Sequence, residues 1–291
     1  MPLLTSRRLI RCAITASALA LTGMPAMAAC LSDTDAALLV ALYMARKPAP
    51  NPENLSAADG ECTRAKVNRF LEQQLGAPVG YKAGLTNPAV QKRFNHDSPV
   101  WGVLYKPMLL ADGAKVPAAF GARPLFEADM LVRVSDARAI GRAKTPADVL
   151  KSIDQVIPFI ELPDLVVEAP PKLNGAAINA INVGARLGVL GKPIAVQRTQ
   201  QFSDALRDMQ VVITGNGAEL DKGKGSDVLE HPLNAVVWLA KDLARSGRAL
   251  RRGDLVSLGS FSKLMPPKPG LAVQVQYVGL PGNPIVGMTF E

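Results

Sequence analysis

Phe126-Glu127-Ala128-Asp129-Met130-Leu131-Val132-Arg133-Val134 reads as a β-strand that opens with two acids and then turns apolar. Side chains alternate along a strand, so Glu127 and Asp129 share a face, with Cα atoms roughly 6.5–7 Å apart. A second apolar run, Val156-Ile157-Pro158-Phe159-Ile160-Glu161-Leu162, brings a third carboxylate at Glu161. Three carboxylates on two neighbouring strands can converge on one hard cation, because Mg²⁺ and Mn²⁺ favour oxygen ligands. The same i, i+2 spacing also describes the solvated face of a half-buried strand. Spacing alone leaves both readings open.

Upstream, residues 1–29 have the form of an export signal: Arg7, Arg8 and Arg11, an apolar run from Cys12 to Leu21, and Ala26-Met27-Ala28 as a cleavage site. The run is too short and alanine-rich for a membrane span. Export places the mature chain in the periplasm. Losing the three leader arginines lowers the formal net charge from +8 to +5. Bases are scattered and aromatics few, so no nucleic-acid surface is expected. The mild positive balance suits a small anionic partner. Cys12 leaves with the leader, and Cys30 and Cys62 remain. In an oxidising compartment they can form a disulfide worth roughly 3–4 kcal/mol. The competing reading is a lipid anchor at Cys30, since Met27-Ala28-Ala29-Cys30 faintly resembles a lipoprotein processing site.

Past the leader, residues 30–78 are expected to form a helical region, with helices over Ala36–Arg46 and from Ala57 or Thr63 to Leu75. Residues 79–291 change character to short strands and Gly/Pro turns. Strands are expected at 101–105, 130–134, 156–162, 165–169, 211–214, 255–258 and 272–278, and Thr214-Gly215-Asn216-Gly217-Ala218 reads as a hairpin turn. Helices are expected near 88–94, 145–153, 199–209 and 233–246. The pattern is α+β, a β-rich core with helices at its margins.

Five segments in order resemble the fumarylacetoacetate hydrolase superfamily, and within it the group of 2-keto-4-pentenoate hydratases and 4-oxalocrotonate decarboxylases. They are Gly80-Tyr81-Lys82-Ala83-Gly84-Leu85-Thr86, Phe126-Glu127-Ala128-Asp129 with Glu161 downstream, His231-Pro232-Leu233-Asn234-Ala235-Val236-Val237-Trp238-Leu239-Ala240, Gly253-Asp254-Leu255-Val256-Ser257-Leu258-Gly259-Ser260, and Pro266-Pro267-Lys268-Pro269-Gly270. The resemblance implies a mixed β-roll or sandwich core and a homo-oligomer. It implies Mg²⁺ or Mn²⁺ held by Glu127, Asp129 and Glu161, and a 2-oxo acid or its dienol as substrate. Lys82 would donate to the substrate carboxylate or shuttle a proton, and His96 would lie in a loop closing over the substrate. Leu85 and Phe126 would line the pocket, with Asn182 and Lys268 as further substrate-binding candidates whose competing role is structural. His231 is read as a helix-start residue.

The departures are as informative. Val100 stands where these hydratases carry an acid that takes part in proton transfer, and a valine carries no proton. Asp97, three residues earlier, is the candidate replacement. Ile181-Asn182-Val183-Gly184 keeps only the asparagine of the group's D-N-A-S stretch. Three functions follow as expectations: hydration of a dienoate, decarboxylation of a vinylogous 2-oxo diacid, and an exported oxo-acid-binding protein without turnover.

Overall fold

The computed structural model describes residues 30–291, so the export signal read from residues 1–29 lies outside the described residues. Two helices come first, α1 (Asp33–Met44) and α2 (Ala57–Leu75). Ser32 and Ser56 cap them, and Asp59 bonds back to the Ser56 backbone to complete a capping box on α2. With Ser32 as its cap, α1 begins at Asp33, ahead of the Ala36 start that apolar spacing suggests. Cys30 pairs with Cys62 at a Cα separation of 5.7 Å, tying the start of the described chain to α2.

The first half continues with β1 (Pro78–Gly84), α3 (Pro88–Arg93), β2 (Val100–Tyr105), β3 (Leu109–Ala111), β4 (Ala114–Val116), β5 (Glu127–Val134), α4 (Ala137–Ile140), α5 (Pro146–Ser152) and β6 (Ile153–Leu162). The second half holds α6 (Gly175–Ala180), β7 (Leu187–Leu190), β8 (Ile194–Ala195), α7 (Gln200–Asp208), β9 (Gln210–Gly215), β10 (Ala218–Lys224), α8 (Asn234–Arg245), β11 (Leu255–Ser257), β12 (Ala272–Val278) and β13 (Ile285–Phe290). The larger sheet runs β2-β1-β11-β5-β6-β7-β3, with β8 also paired to β6, and the smaller runs β10-β9-β12-β13-β4. Both sheets mix parallel and antiparallel pairs, as the expected α+β class requires. The β9–β10 hairpin turns through Asn216 and Gly217, both with positive φ, as the sequence of that turn predicts. Residues 165–169 form no strand: Val167 makes only an isolated bridge to Ala49. The apolar character of that run reflects burial beneath the α1–α2 connection rather than sheet pairing.

Burial decides the first ambiguity in the sequence. β5 is covered on both faces, and Glu127 is 8% and Asp129 0% exposed. The solvated-strand reading therefore fails. Register then gathers the chemistry. Glu127 lies directly opposite Glu161 across the β5–β6 pair. Lys82, Ser257, Leu131 and Ile157 form one transverse row across β1, β11, β5 and β6. By alternation, Glu127 and Asp129 share the face of Leu131, so the row puts Lys82 and Ser257 on the face that carries the acids.

The smaller sheet braces this arrangement. Tyr277, fully buried on β12, accepts a hydrogen bond from Phe159 N at 3.0 Å and donates to the Asp129 carbonyl. Its hydroxyl thus wedges between β5 and β6 beside the acids. Tyr277→Phe removes the hydroxyl's hydrogen bonds to Phe159 N and the Asp129 carbonyl from a dry core, and is expected to lower the unfolding free energy by about 1–3 kcal/mol, read by urea titration.

Candidate functional site

Lys82, on β1, is 3% exposed; its ammonium forms an ion pair with Glu161 and donates to the Val183 carbonyl at 3.0 Å. Glu161 is itself 2% exposed. Asp129 is held by three donors: Ser257 Oγ, Gly259 N at 3.0 Å and Met130 N. Gly259 can make that bond because its φ is +104° and a Cβ there would sit 1.9 Å from Thr86 Oγ1. Two non-glycine residues with positive φ flank the lysine, Leu85 after it in sequence and Val183 against its ammonium. Such conformations cost about 1–3 kcal/mol each and persist where surrounding structure holds them.

Burial first, and then the charge of Glu161, push the Glu127 carboxyl well above its usual range. The same two causes raise Asp129, opposed by the bonds from Ser257 and Met130. Three buried acids therefore face one buried ammonium, which leaves negative charge that only protons or a cation can compensate. The donor set is all carboxylate oxygen, with no thiolate or imidazole, and so suits a hard divalent ion. Among the described residues, no three acidic, histidine or cysteine side chains converge closely enough to hold an ion together. Lys82 instead makes the close contact with Glu161.

These groups lie at the base of a cavity of about 140 Å³ that Lys82, Glu127 and Glu161 line and Asp129 does not. Its walls are apolar: Leu85, Val90, Phe94, Leu165, Ile178 and Val183. The volume is well below the roughly 300–1,000 Å³ of drug-sized pockets and suits a short-chain acid. Exposed Arg93 and Lys263 also line it, along with Ser260 and Ser262.

The other candidates scatter. Leu85 lines the cavity. Phe126 does not; its ring packs 5.4 Å from Phe290 in the core between the sheets, because it precedes β5 on the face opposite Ala128's neighbours Glu127 and Asp129. Asn182 is structural: its amide bonds Val103 N and O at 2.7 and 3.0 Å and Asn68 at 3.0 Å, fastening the turn below α6 to β2 and α2. Lys268 and Asp97 are exposed and outside the cavity. His96 bonds Ser98 at 3.2 Å and lines a separate polar cleft with Arg64 and Asp242. Val100 is buried in β2, so no acid from that loop reaches the cavity. His231 lies just before α8 and does not cap it; it accepts from Leu233 N at 3.1 Å and meets Ser203 at 3.1 Å, and burial lowers its pKa. Arg93 and Lys263 line the cavity but are not among the residues the sequence points to. The i, i+3, i+4 spacing of Val90, Arg93 and Phe94, which puts them on one face of α3, was the available signal for Arg93.

No protein-family model matches the chain. Individual relatives do. The 2-keto-4-pentenoate hydratase 1 of Dechloromonas aromatica (strain RCB) is 31% identical over 269 residues, covering 88% of this chain and 97% of that protein. The structure of 4-oxalocrotonate decarboxylase from Pseudomonas putida G7, complexed with magnesium and adipate, is 25% identical and superposes with a TM-score of 0.77 over 90% of this chain and all of that one. A putative fumarylacetoacetate hydrolase family protein from Yersinia pestis CO92, at 17% identity and a TM-score of 0.54 over 74% of this chain and 94% of its own, shares the fold. The chain belongs to the family of 2-keto-4-pentenoate hydratases and 4-oxalocrotonate decarboxylases.

Proposed function

We propose that this protein is a divalent-metal-dependent lyase that adds water to a small 2-oxo acid in its dienol form. The observation that carries the reading is the pairing of Glu127 with Glu161 across β5–β6, with Lys82 against them, at the base of an apolar-walled cavity. Glu127 and Glu161 would hold Mg²⁺ or Mn²⁺, with Asp129 behind them fixing the strand. Such an ion, when bound, stabilises the negative charge that develops on the 2-oxygen.

The chain's own groups do the rest. Lys82, oriented by Glu161 and the Val183 carbonyl, donates to the substrate carboxylate or carries a proton to and from the carbon skeleton. Leu85, Phe94, Ile178 and Val183 hold the hydrocarbon part and exclude bulk water. Purified protein with Mg²⁺ should consume the absorbance of 2-hydroxypenta-2,4-dienoate and yield the 4-hydroxy-2-oxo acid. Failure to turn over any 2-oxo acid, with Glu127→Ala behaving like the wild type, would falsify the reading.

One observation favours a second reaction, decarboxylation of a vinylogous 2-oxo diacid. Among the described residues lining the cavity, Glu127 and Glu161 are the sole carboxylates, and neither Val100 nor Asp97 supplies a further base to activate water. Decarboxylation needs no such base: the C–C bond to the leaving carboxylate breaks, its electron pair passes into the conjugated oxo system, and a proton returns to carbon. Release of carbon dioxide, with no oxygen from ¹⁸O-labelled water at the 4-carbon, separates it from hydration. Tight calorimetric binding of oxalate with no turnover of either kind would leave an oxo-acid-binding protein instead.

We further propose an exported, periplasmic homo-oligomer in which residues 30–78 brace a catalytic region over 79–291. Among the described residues no helix is long and apolar enough to cross a membrane. The pairing of Cys30 with Cys62 supports an oxidising compartment over lipidation of Cys30. The intact mass of exported protein should be two hydrogens below that of the fully reduced chain beginning near Cys30, whereas a diacylglycerol adduct would exclude the bridge.

A further inference from the structure

We propose that the polar cleft beside His96 is a second ligand site, separate from the catalytic cavity, in which Arg64 grips the carboxylate of a small monocarboxylic acid. The cleft, of about 200 Å³, opens between α2, α6, α8 and the segment that leads into β2. It shares no lining residue with the cavity of Lys82. The helix α6 stands between them, with Ile178 lining the cavity and Gly175 and Asn179 lining the cleft.

Arg64 carries the inference. It is 4% exposed, yet its hydrogen-bond partners are neutral: Nη1 donates to the Trp101 carbonyl at 3.2 Å and to Asn179 Oδ1. Its guanidinium stacks 3.4 Å from the centre of the Trp101 ring. Among the described residues no carboxylate comes within ion-pair distance of it. Asp242, the half-buried acid of the cleft, accepts from Trp101 Nε1 at 2.9 Å and pairs with Arg245 at 3.2 Å, and exposed Glu61 makes no ion pair. Burial pulls the Arg64 pKa down to about 10 against the opposing charges of Glu61 and Asp242. A buried cation in this position is short of negative charge.

The unused part of the guanidinium faces the cleft. Among the described residues Nε and Nη2 make no hydrogen bond within the protein, and no buried side-chain nitrogen lacks a partner. Both therefore reach open space, and the open space that Arg64 lines is the cleft. Such an edge offers two parallel N–H donors, which a carboxylate meets with both oxygens. Ser98 and His96, 3.2 Å apart, add polar groups to the same lining, and His96 is held there by its close packing on Gly175. Glu61 and Asp242 set the charge of the ligand, because they oppose a multiply charged anion such as phosphate while a single negative charge is matched by Arg64.

The test is the ¹⁵N indole spectrum of the full mature chain, which has two tryptophans, Trp101 and Trp238. Acetate should shift the Trp101 signal, identified as the one that survives Trp238→Phe, saturably and with a Kd of about 1–10 mM. Inorganic phosphate at equal ionic strength should bind at least about fivefold more weakly. Arg64→Lys keeps the charge and loses the fork, and should weaken acetate by about tenfold. Glu61→Gln, an exposed change, should tighten it by about two- to threefold. Acetate entering the cavity of Lys82 would respond to neither substitution. Absence of a saturable shift, tighter binding of phosphate than of acetate, or folded Arg64→Lys binding acetate like wild type overturns the inference. Should Arg64→Lys fail to fold, Glu61→Gln decides alone, and an unchanged affinity in that variant overturns it equally.

Discussion

Lys82→Met protein is expected to unfold far below the wild type when stripped of divalent ions, and to regain most of the loss when Mg²⁺ is added. Lys82 is the buried cation among three buried acids, and its removal leaves Glu127, Asp129 and Glu161 without a counter-charge. Taking one partner from a buried ion pair costs about 3–5 kcal/mol. That is a large share of the roughly 5–15 kcal/mol by which domains are stable. At about 2–4 °C per kcal/mol for a chain of this size, the midpoint should fall by roughly 6–20 °C. A divalent ion supplies the missing charge, and at a hundred times its Kd returns about 2.7 kcal/mol. Turnover should not return with it, because methionine cannot donate to a carboxylate or carry a proton; a deficit of about 10²–10⁴-fold is expected at saturating Mg²⁺. Scanning calorimetry with EDTA and with Mg²⁺ checks the first part and steady-state rates the second. A variant as stable as wild type in EDTA would mean that the acids do not share one electrostatic site.

How much of this was legible beforehand differs between the sheet and the cavity. The three acids and Lys82 were recoverable because two of them sit on one strand at i, i+2, and the segments carrying the others resemble family motifs. Their burial was not. The alternation of Glu127 and Asp129 suits a wet face equally well, and only the cover of β5 on both sides separates the readings. Register also lay beyond the sequence: Glu127 faces Glu161 because β5 and β6 pair with that offset, and Lys82 joins them through β11, a strand some 175 residues downstream in a short parallel contact. The candidates that lie outside the cavity are loop residues. His96, Asp97 and Lys268 carry suitable chemistry, but loop direction depends on tertiary contacts: Gly175 packs so closely on His96 that a Cβ there would be 2.2 Å from its ring, which holds the histidine toward α6 and away from the cavity. The strand expected at 165–169 failed for the opposite reason, since apolar residues under a covering segment look like strand residues in a linear reading.

Glu127→Gln should cut turnover steeply and abolish the Mg²⁺-dependent rise in thermal midpoint, yet make the metal-free protein more stable. Glu127 lines the cavity, and burial together with the Glu161 charge opposes its ionisation. A neutral amide of the same shape relieves that opposition, worth about 1.4 kcal/mol for each pKa unit removed. The same change removes a hard anionic oxygen from the proposed metal position, and the rate should drop by about 10²–10³-fold or more. Asp129 should behave differently, because its oxygens are occupied by Ser257, Gly259 and Met130 and it does not line the cavity. Asp129→Asn keeps an acceptor for the two backbone donors and can donate to Ser257, so it should fold and retain a Mg²⁺ response weakened about 10–100-fold in affinity, as expected for a group that supports ligands from behind. Asp129→Ala strands those donors in the core and should cost about 1–3 kcal/mol for each. Titrating Mg²⁺ against the midpoint of each variant ranks the two acids. Equal and complete loss of the response in Glu127→Gln and Asp129→Asn would mean that Asp129 turns into the cavity as a direct third ligand, releasing Ser257 and Gly259 when the ion binds.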